Sequence, residues 1–456
     1  MKKRVLKIVG ISLLVLLILL PGITVGWLYI YSKNYKIPEQ AESIENKTGL
    51  IKAHGRTLYD ANGKPIQLKG VNAGQILLQE GWMSPFATEP LTNPDGSYVT
   101  DADGNVQYPE FGEEDFRNAI KSNPNLNMHH IDGLMLKYWE SFFTEEDFEI
   151  IKEDLGMNCI RLPFYYLNIL NEDLTRKSEE DAFRYLDWFI GCAAKYELYV
   201  ILDLHGAPGS QNGYEHSGVT DKRCEFWDNA TYVDAVVDLW DYVSDHYTDV
   251  KPELGKWIAS YDLLNEPTDG HGGVTTKKCW DIFDRIHDTI RYNDDQHLIT
   301  ISGCWDFGKL PNPEKYGWRN VQYEYHWYNW WTNIVPYDLF YLYQDMWNVF
   351  RDYDVPVLIG EFTLFEDREA WANQLSMFDE RNYSWTVWNY KTTVMGGWTS
   401  SWGVYTCQLK LQPGELKCNI ATCTFEEYME VCKKVRTSNC VTGTLYEVLI
   451  DYRLKK

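Results

Sequence analysis

Eight short apolar runs separated by helical stretches constrain this chain more than any other feature. They read "IQLKGVNAG" (66–74), "NCIRLPF" (158–164), "LYVILDLHG" (198–206), "YDLLNEP" (261–267), "HLITISG" (297–303), "VQYEYHWY" (321–328), "PVLIGEF" (356–362) and "SWTVWNYK" (384–391). Each has the length and the β-branched or aromatic character of a buried strand. Amphipathic stretches fall between them, among them "EEDFEIIKEDLG" (145–156), closing on Gly156 as a C-cap, and "TYVDAVVDLWDYVSDHY" (231–247). Parallel strands need crossover connections, and helices supply them. An α/β chain with eight such units predicts a (β/α)8 TIM barrel, with an open doubly wound sheet of the same elements as the alternative.

Polar residues gather where those runs end. Arg161, His205, Asn265 with Glu266, His326 with Tyr328, Glu361 and Trp388 each stand at or near the C-terminal end of a different run. In a barrel these ends converge on one face, where active sites form. One polar residue at a strand end is ordinarily a hydrogen-bonding group, and a lone Asn-Glu-Pro is as well explained by a loop acid capping the next helix. Acids, imidazoles, a guanidinium and an aromatic ring at so many ends are not required by folding. Glu266 follows "YDLL", which reads as a buried strand, so its carboxyl meets a partly desolvated cavity that resists ionisation and suits proton donation.

Composition narrows the partner. The 19 Trp and 32 Tyr offer flat apolar faces on which sugar rings stack. The formal charge is −23, and residues 1–36 hold six basic residues and no acid, leaving −29 for the remainder. Such a surface repels phosphate and argues against nucleic acid, whereas a neutral glycan feels no repulsion. The chain begins with a basic cluster, and Ile8 to Ser32 is uncharged, long enough to cross a bilayer. Residues 1–37 are therefore expected to be a transmembrane anchor, with the basic end cytoplasmic and everything after Lys36 extracellular. Cleavage as an export signal near Thr24-Val25-Gly26, giving a secreted protein, is the alternative. A polar linker over 38–48 then leads to one barrel domain over 49–456.

Ten cysteines fit an exported domain, because structural disulfides persist outside the reducing cytosol. Cys159 and Cys192 read as buried thiols. Cys407, Cys418, Cys423, Cys432 and Cys440 crowd the C-terminal segment and suggest bridges; zinc is the competing reading, although no C-x2-C pair occurs.

The ordered set Arg161, His205, Asn265-Glu266-Pro267, His326-x-Tyr328, Glu361 and Trp388 resembles the family 5 glycoside hydrolases of the cellulase superfamily, over nearly the whole chain from about residue 50. "LDLHGAPGSQNG" (202–213) and "GVNAG" (70–74) are similar to the exo-β-1,3-glucanase branch. The chemistry can be read beside the resemblance. A retaining glycosidase uses one carboxyl to protonate the leaving oxygen and a second to attack the anomeric carbon. Glu266 suits the acid/base role and Glu361 the nucleophile, with Arg161 keeping Glu361 ionised and Tyr328 donating to it. His205 and His326 would position sugar hydroxyls and the carboxylates, and Trp388 would be the floor under the reacting sugar. The resemblance implies that Asn265 holds the sugar 2-hydroxyl. It also implies that Glu80 and Trp82, in "QEGWMSP" (79–85), hold a terminal sugar, although one extra residue separates Gly74 from Glu80 relative to the branch pattern.

This two-carboxylate logic needs no metal or other cofactor; His205, His326 and Glu361 as zinc ligands lack a third histidine at ligand spacing. Residues 86–135 form a long polar insertion expected to overhang the site. Its "DADGN" (101–105) is either a hairpin turn or a calcium loop through Asp101, Asp103 and Asn105. The aromatic run "HWYNWW" (326–331) is either a sugar platform or a packed loop. The functions that follow are an exo-acting β-1,3-glucanase or β-glucosidase, an endo-β-1,4-glucanase or mannanase using the same residues, a transglycosylase, or an inactive surface glycan-binding barrel. The two intact glutamates weigh against the last.

Overall fold

The computed structural model describes Gly26 and residues 41–455, except 103, 269–275, 306–309, 329–352, 395–401 and 409–415. The expected anchor over 1–37 lies outside the described residues apart from Gly26. Among the described residues no helix is long and apolar enough to cross a membrane.

Eight parallel strands close into a barrel in chain order: β1 (Lys69–Asn72), β2 (Cys159–Tyr165), β3 (Tyr199–Gly206), β4 (Ile258–Asp262), β5 (Leu298–Ser302), β6 (Val321–Tyr328), β7 (Val357–Thr363) and β8 (Ser384–Val387). Closed, sequential order excludes the doubly wound alternative, whose sheet has open edges. Helices Glu179–Lys195, Ala230–Asp245, Lys277–Asn293 and Arg368–Arg381 follow β2, β3, β4 and β7. They begin on sequence signals: Ser178, Asn229 and Asp367 each accept a backbone N–H of the first turn. The 145–156 stretch is helical only to Glu149 before it widens into a π-turn over Ile150–Asp154. Gly156 then takes a left-handed φ of +68°, the conformation expected of a glycine just past a helix end.

Side-chain alternation along the strands builds a graded interior. Outward residues such as Val200, Leu202 and Leu204 join the main core between strands and helices. Inward residues Leu68, Cys159, Ile201, Ala259, Leu298 and Leu358 form an apolar plug. Ile51 and Leu58 cap that plug from a small sheet of Lys52–His54, Thr57–Tyr59 and Pro65–Ile66. Above it the inward positions turn polar: Ser260, Thr300 and Gln322 hydrogen-bond to one another. The next layer carries charge. Cys159 is buried as expected, whereas Cys192 is only half-buried.

Strand ends differ from the sequence reading in two places. β4 stops at Asp262 rather than continuing through Leu264, so Glu266 sits on a loop. The last run breaks at Val387, and Lys391–Val394 joins a separate sheet with Tyr405–Gln408 and Val441–Thr442. Cys407 of that sheet is bridged to Cys440 across a separation of 33 residues, while Cys418, Cys423 and Cys432 are thiols. A loop of this length constrains the unfolded chain by about 3–4 kcal/mol. Reductant is therefore expected to lower the denaturant midpoint markedly; an unchanged midpoint with all ten cysteines titratable as thiols would reject the bridge.

The 86–135 insertion is more ordered than its polar composition suggests. It holds the helix Glu113–Ser122 and runs into a second, Ile131–Phe142. The "DADGN" segment forms a turn in which Asp101 accepts the backbone N–H of Asn105 at 2.9 Å and its side-chain amide at 2.9 Å. Those contacts are the hairpin alternative; Asp103 lies outside the described residues.

Candidate functional site

Arg161, fully buried on β2, organises the layer beneath the barrel mouth. Its Nε lies 3.0 Å from both Asp262 and Glu324, its Nη2 reaches Asp203 at 3.1 Å and Asn265 at 2.8 Å, and its Nη1 reaches Asn72 at 3.1 Å and Glu361 at 3.0 Å. Asp203, Asp262 and Glu324 are buried inward residues of β3, β4 and β6. One guanidinium cannot hold so many charges in a desolvated layer, and the protonation states divide accordingly. Burial and the neighbouring Glu324 push Asp262 well above its ordinary range. Burial also pushes Asp203 up to about 7. Against the same burial, Arg161 and His326 draw Glu324 down to about 2.

Glu361 owes its direction to a bulge. β6 and β7 pair Tyr325 with Ile359 and then His326 with Glu361, so Gly360 is an extra residue. Leu358 belongs to the inner plug while Phe362 packs outward on Trp371, so strict alternation would have turned Glu361 away from the interior. A Cβ at 360 would lie 1.8 Å from Glu324 Oε1, which makes glycine the residue that permits the bulge there. Glu361 then accepts from Arg161 Nη1 at 3.0 Å and from Tyr328 OH at 2.8 Å.

Glu266 is held by the loop after β3. Gln211 Nε2 donates to the Asn265 carbonyl at 2.9 Å, and Asn212 Nδ2 to the Glu266 carbonyl at 3.2 Å. These contacts support a left-handed φ of +38° at Glu266, a conformation that costs a non-glycine residue about 1–3 kcal/mol and clusters at functional sites. The carboxylate lies between two imidazoles, His326 Nδ1 at 2.8 Å and His216 Nε2 at 2.9 Å. Burial raises its proton affinity, but the two imidazoles win and hold Glu266 well below the usual carboxylate range. The sequence reading expected desolvation to dominate; it did not include His216. Burial likewise opposes the charge on His326, yet Glu361, Glu266 and Glu324 raise it well above an ordinary histidine.

Burial pushes the His205 imidazole down to about 3, which favours its neutral form. Its Nδ1 lies 2.6 Å from Asp203, its Nε2 3.3 Å from Asn265 Nδ2, and its ring stacks on Trp388 with centroids 5.6 Å apart. Asn265, Tyr328 and Trp388 share with both glutamates a pocket of about 400 Å³. Glu80 lines the same pocket, accepts from Trp82 Nε1 at 2.8 Å and is pushed up to about 8 by burial. Every residue of the sequence-derived set is thus in or directly beneath one cavity. Five more of the described residues line it: Tyr214, Glu215, His216, Trp305 and Trp402. They stand on loops rather than strands, where no periodicity marks them; only their position after β3, β5 and β8 could have pointed to them. None of the described lining residues comes from the 86–135 insertion. That segment instead buttresses Glu80, for Glu113 accepts the backbone N–H of Gln79 at 2.9 Å.

One donor atom each from Glu266, His326 and Glu361 lies within 4.8 Å of the others. His326 Nδ1 hydrogen-bonds Glu266 Oε1 at 2.8 Å and lies 3.4 Å from Glu361 Oε2, so the three side chains form one buried charged cluster. A family model described as cellulase, glycosyl hydrolase family 5, matches residues 118–393. The chain belongs to glycosyl hydrolase family 5. It is 32% identical over 282 residues to a β-xylosidase of Phanerodontia chrysosporium, covering 61% of this chain and 52% of that protein. It is 27% identical over 269 residues to a probable glucan 1,3-beta-glucosidase A of Aspergillus fumigatus, covering 59% of this chain and 56% of that protein. The chain spans about half the length of these curated relatives. A crystal structure of rutinosidase from Aspergillus niger shares the fold, with a TM-score of 0.51 and 15% identity over 74% of this chain and 95% of that one.

Proposed function

We propose that this family 5 barrel is a retaining exo-β-glycosidase that removes terminal sugars from a β-linked glucan. The observation that carries the reading is the approach of Glu266 and Glu361 oxygens to within 4.8 Å. Retaining enzymes separate their carboxyl groups by about 5–5.5 Å, whereas inverting ones leave about 6.5–9.5 Å for a water. Glu361, oriented by Arg161 and Tyr328, attacks the anomeric carbon as Glu266 delivers a proton to the departing oxygen. Water then takes the reverse path with Glu266 as base. Asn265, its side-chain Oδ1 accepting from Arg161, turns its amide nitrogen to the sugar 2-hydroxyl, and Trp388 lies under the ring. Terminal action is supported by the small volume of the pocket and by Glu80 on its wall, whose carboxyl would grip the hydroxyls of an end sugar.

Substrate and linkage are tested by following products from laminarin, carboxymethyl-cellulose, mannan and xyloglucan, with aryl β-glucoside and β-xyloside compared in parallel. Early release of glucose alone from laminarin is expected. A ladder of oligosaccharides from cellulose or mannan would replace the exo reading with the endo one, and a strong preference for the β-xyloside would align the chain with its β-xylosidase relative. For Glu266→Ala, the rate on natural glycan is expected to fall about 100-fold or more, with a much smaller loss on aryl glycosides whose leaving groups need little protonation. Equal losses on both would remove Glu266 from the acid role.

A further inference from the structure

His216 is a buried-edge imidazole that no part of the two-carboxylate mechanism requires, yet it faces the free oxygen of the acid/base. Glu266 Oε1 is taken by His326, which is fully buried, and Oε2 lies 2.9 Å from His216 Nε2, whose side chain keeps 24% exposure to the pocket. The same Nε2 lies 2.9 Å from Asn212 Nδ2. The orientation of that amide is fixed, because Asn212 Oδ1 accepts the Tyr214 backbone N–H at 2.9 Å and Nδ2 donates to the Glu266 carbonyl at 3.2 Å. Nε2 therefore has two neighbours of opposite demand. With a proton it donates to Glu266; without one its lone pair accepts from Asn212. Neither state leaves it unsatisfied, so moving a proton between ring and carboxylate carries no cost of an orphaned buried group.

We infer that His216 and Glu266 share one proton, His216 holding it in the resting enzyme and returning it through the Nε2–Oε2 hydrogen bond when the leaving oxygen needs it. The inference rests on the acid/base reading of Glu266. In the first step the Glu361 electron pair forms the bond to the anomeric carbon. The glycosidic bond breaks towards the leaving oxygen, which takes the one shared proton by way of Glu266, so that His216 is left neutral and Glu266 ionised. In the second step water adds at the anomeric carbon, Glu361 departs, and the water proton returns to Glu266 and then to His216. His216 is thus a positioning and proton-holding residue that acts through Glu266.

Its surroundings favour this. Glu80, Glu266 and Glu361 face it across the pocket, Glu215 adjoins it, Tyr214 stacks on it, and neutral His205 lies 6.3 Å away between ring centroids. Lys417 acts on the neighbouring Glu215. Burial opposes the imidazolium, but Glu266 and the other carboxylates raise it to about 9.

The test compares pH profiles of kcat/KM on a glycan or alkyl β-glucoside for the wild type, His216→Gln and Glu266→Gln. The alkaline limb of the wild type is expected near pH 9. In His216→Gln, which keeps hydrogen-bond donors but cannot titrate, the limb is expected to move to lower pH by roughly two units, with kcat falling and KM little changed. An unmoved limb in His216→Gln, alongside a lost limb in Glu266→Gln, overturns the shared proton and leaves the acid role of Glu266 standing. A limb that survives in Glu266→Gln overturns that role itself. In the unmodified protein, the His216 imidazole followed by nitrogen NMR is expected to titrate above the ordinary histidine range and to drop towards it in Glu266→Gln. Titration at an ordinary value in both proteins overturns the inference whatever the folding of the His216 variant.

Discussion

Replacing Glu361 by glutamine is expected to reduce turnover by more than about a thousandfold while leaving the fold in place. Glutamine keeps the volume, and its carbonyl can still accept from Arg161 Nη1, which lies 3.0 Å from Glu361 Oε1. Its amide meets Tyr328, whose hydroxyl can accept as well as donate. The chemical loss is complete by contrast, because an amide cannot form the glycosyl ester on which double displacement depends. Steady-state rates on an aryl β-glucoside, with circular dichroism melts as the folding control, check this. Activity above about a thousandth of wild type in a well-folded variant would argue against a covalent intermediate on Glu361.

The second large effect is expected at Arg161. Arg161→Met keeps much of the side-chain volume but removes the one counter-ion that, among the described residues, contacts Asp203, Asp262, Glu324 and Glu361 together. Removing one partner of a buried pair costs about 3–5 kcal/mol because the other charge is left uncompensated. The cost here is limited by Asp262 and Asp203, which burial already biases towards the neutral form. Denaturant unfolding is expected to show a loss of that order, together with loss of activity, since Glu361 and Asn265 both lean on the guanidinium. Arg161→Lys is expected to recover part of the stability and little activity, because an ammonium cannot span three directions as the planar fork does. A loss below about 1 kcal/mol in the methionine variant would mean that the whole acidic layer is already neutral.

The barrel and most of its site were legible in the sequence because parallel strands buried on both faces leave long apolar runs, and polar residues interrupt them only where the interior opens. Arg161, His205 and His326 could be read on that ground. The acids beneath them were equally visible in "LDLH", "YDLL" and "YEYH", inside the apolar runs, but their role emerges only when alternation is applied inside the barrel and Asp203, Asp262 and Glu324 prove to share one guanidinium. Glu361 lines the cavity for a reason that the apolar run alone does not contain. Regular alternation on β7 would have pointed it away from the cavity, and the Gly360 bulge reverses it. Glu266 was placed on a strand that in fact ends at Asp262; its position depends on hydrogen bonds from Gln211 and Asn212, residues distant in sequence. His216 had only its position after β3 to mark it, since a loop histidine has no period and its meaning lies in what it touches.

The account is tested most directly by the stereochemistry of the first product. Hydrolysis of an aryl β-glucoside or laminarin, followed by proton NMR faster than the released sugar mutarotates, is expected to show the β-anomer first, with the α-anomer growing in later. Carboxylate oxygens within 4.8 Å of one another suit double displacement, in which the anomeric configuration is retained. Initial appearance of the α-anomer would contradict the pairing of Glu266 with Glu361 on which the mechanism stands.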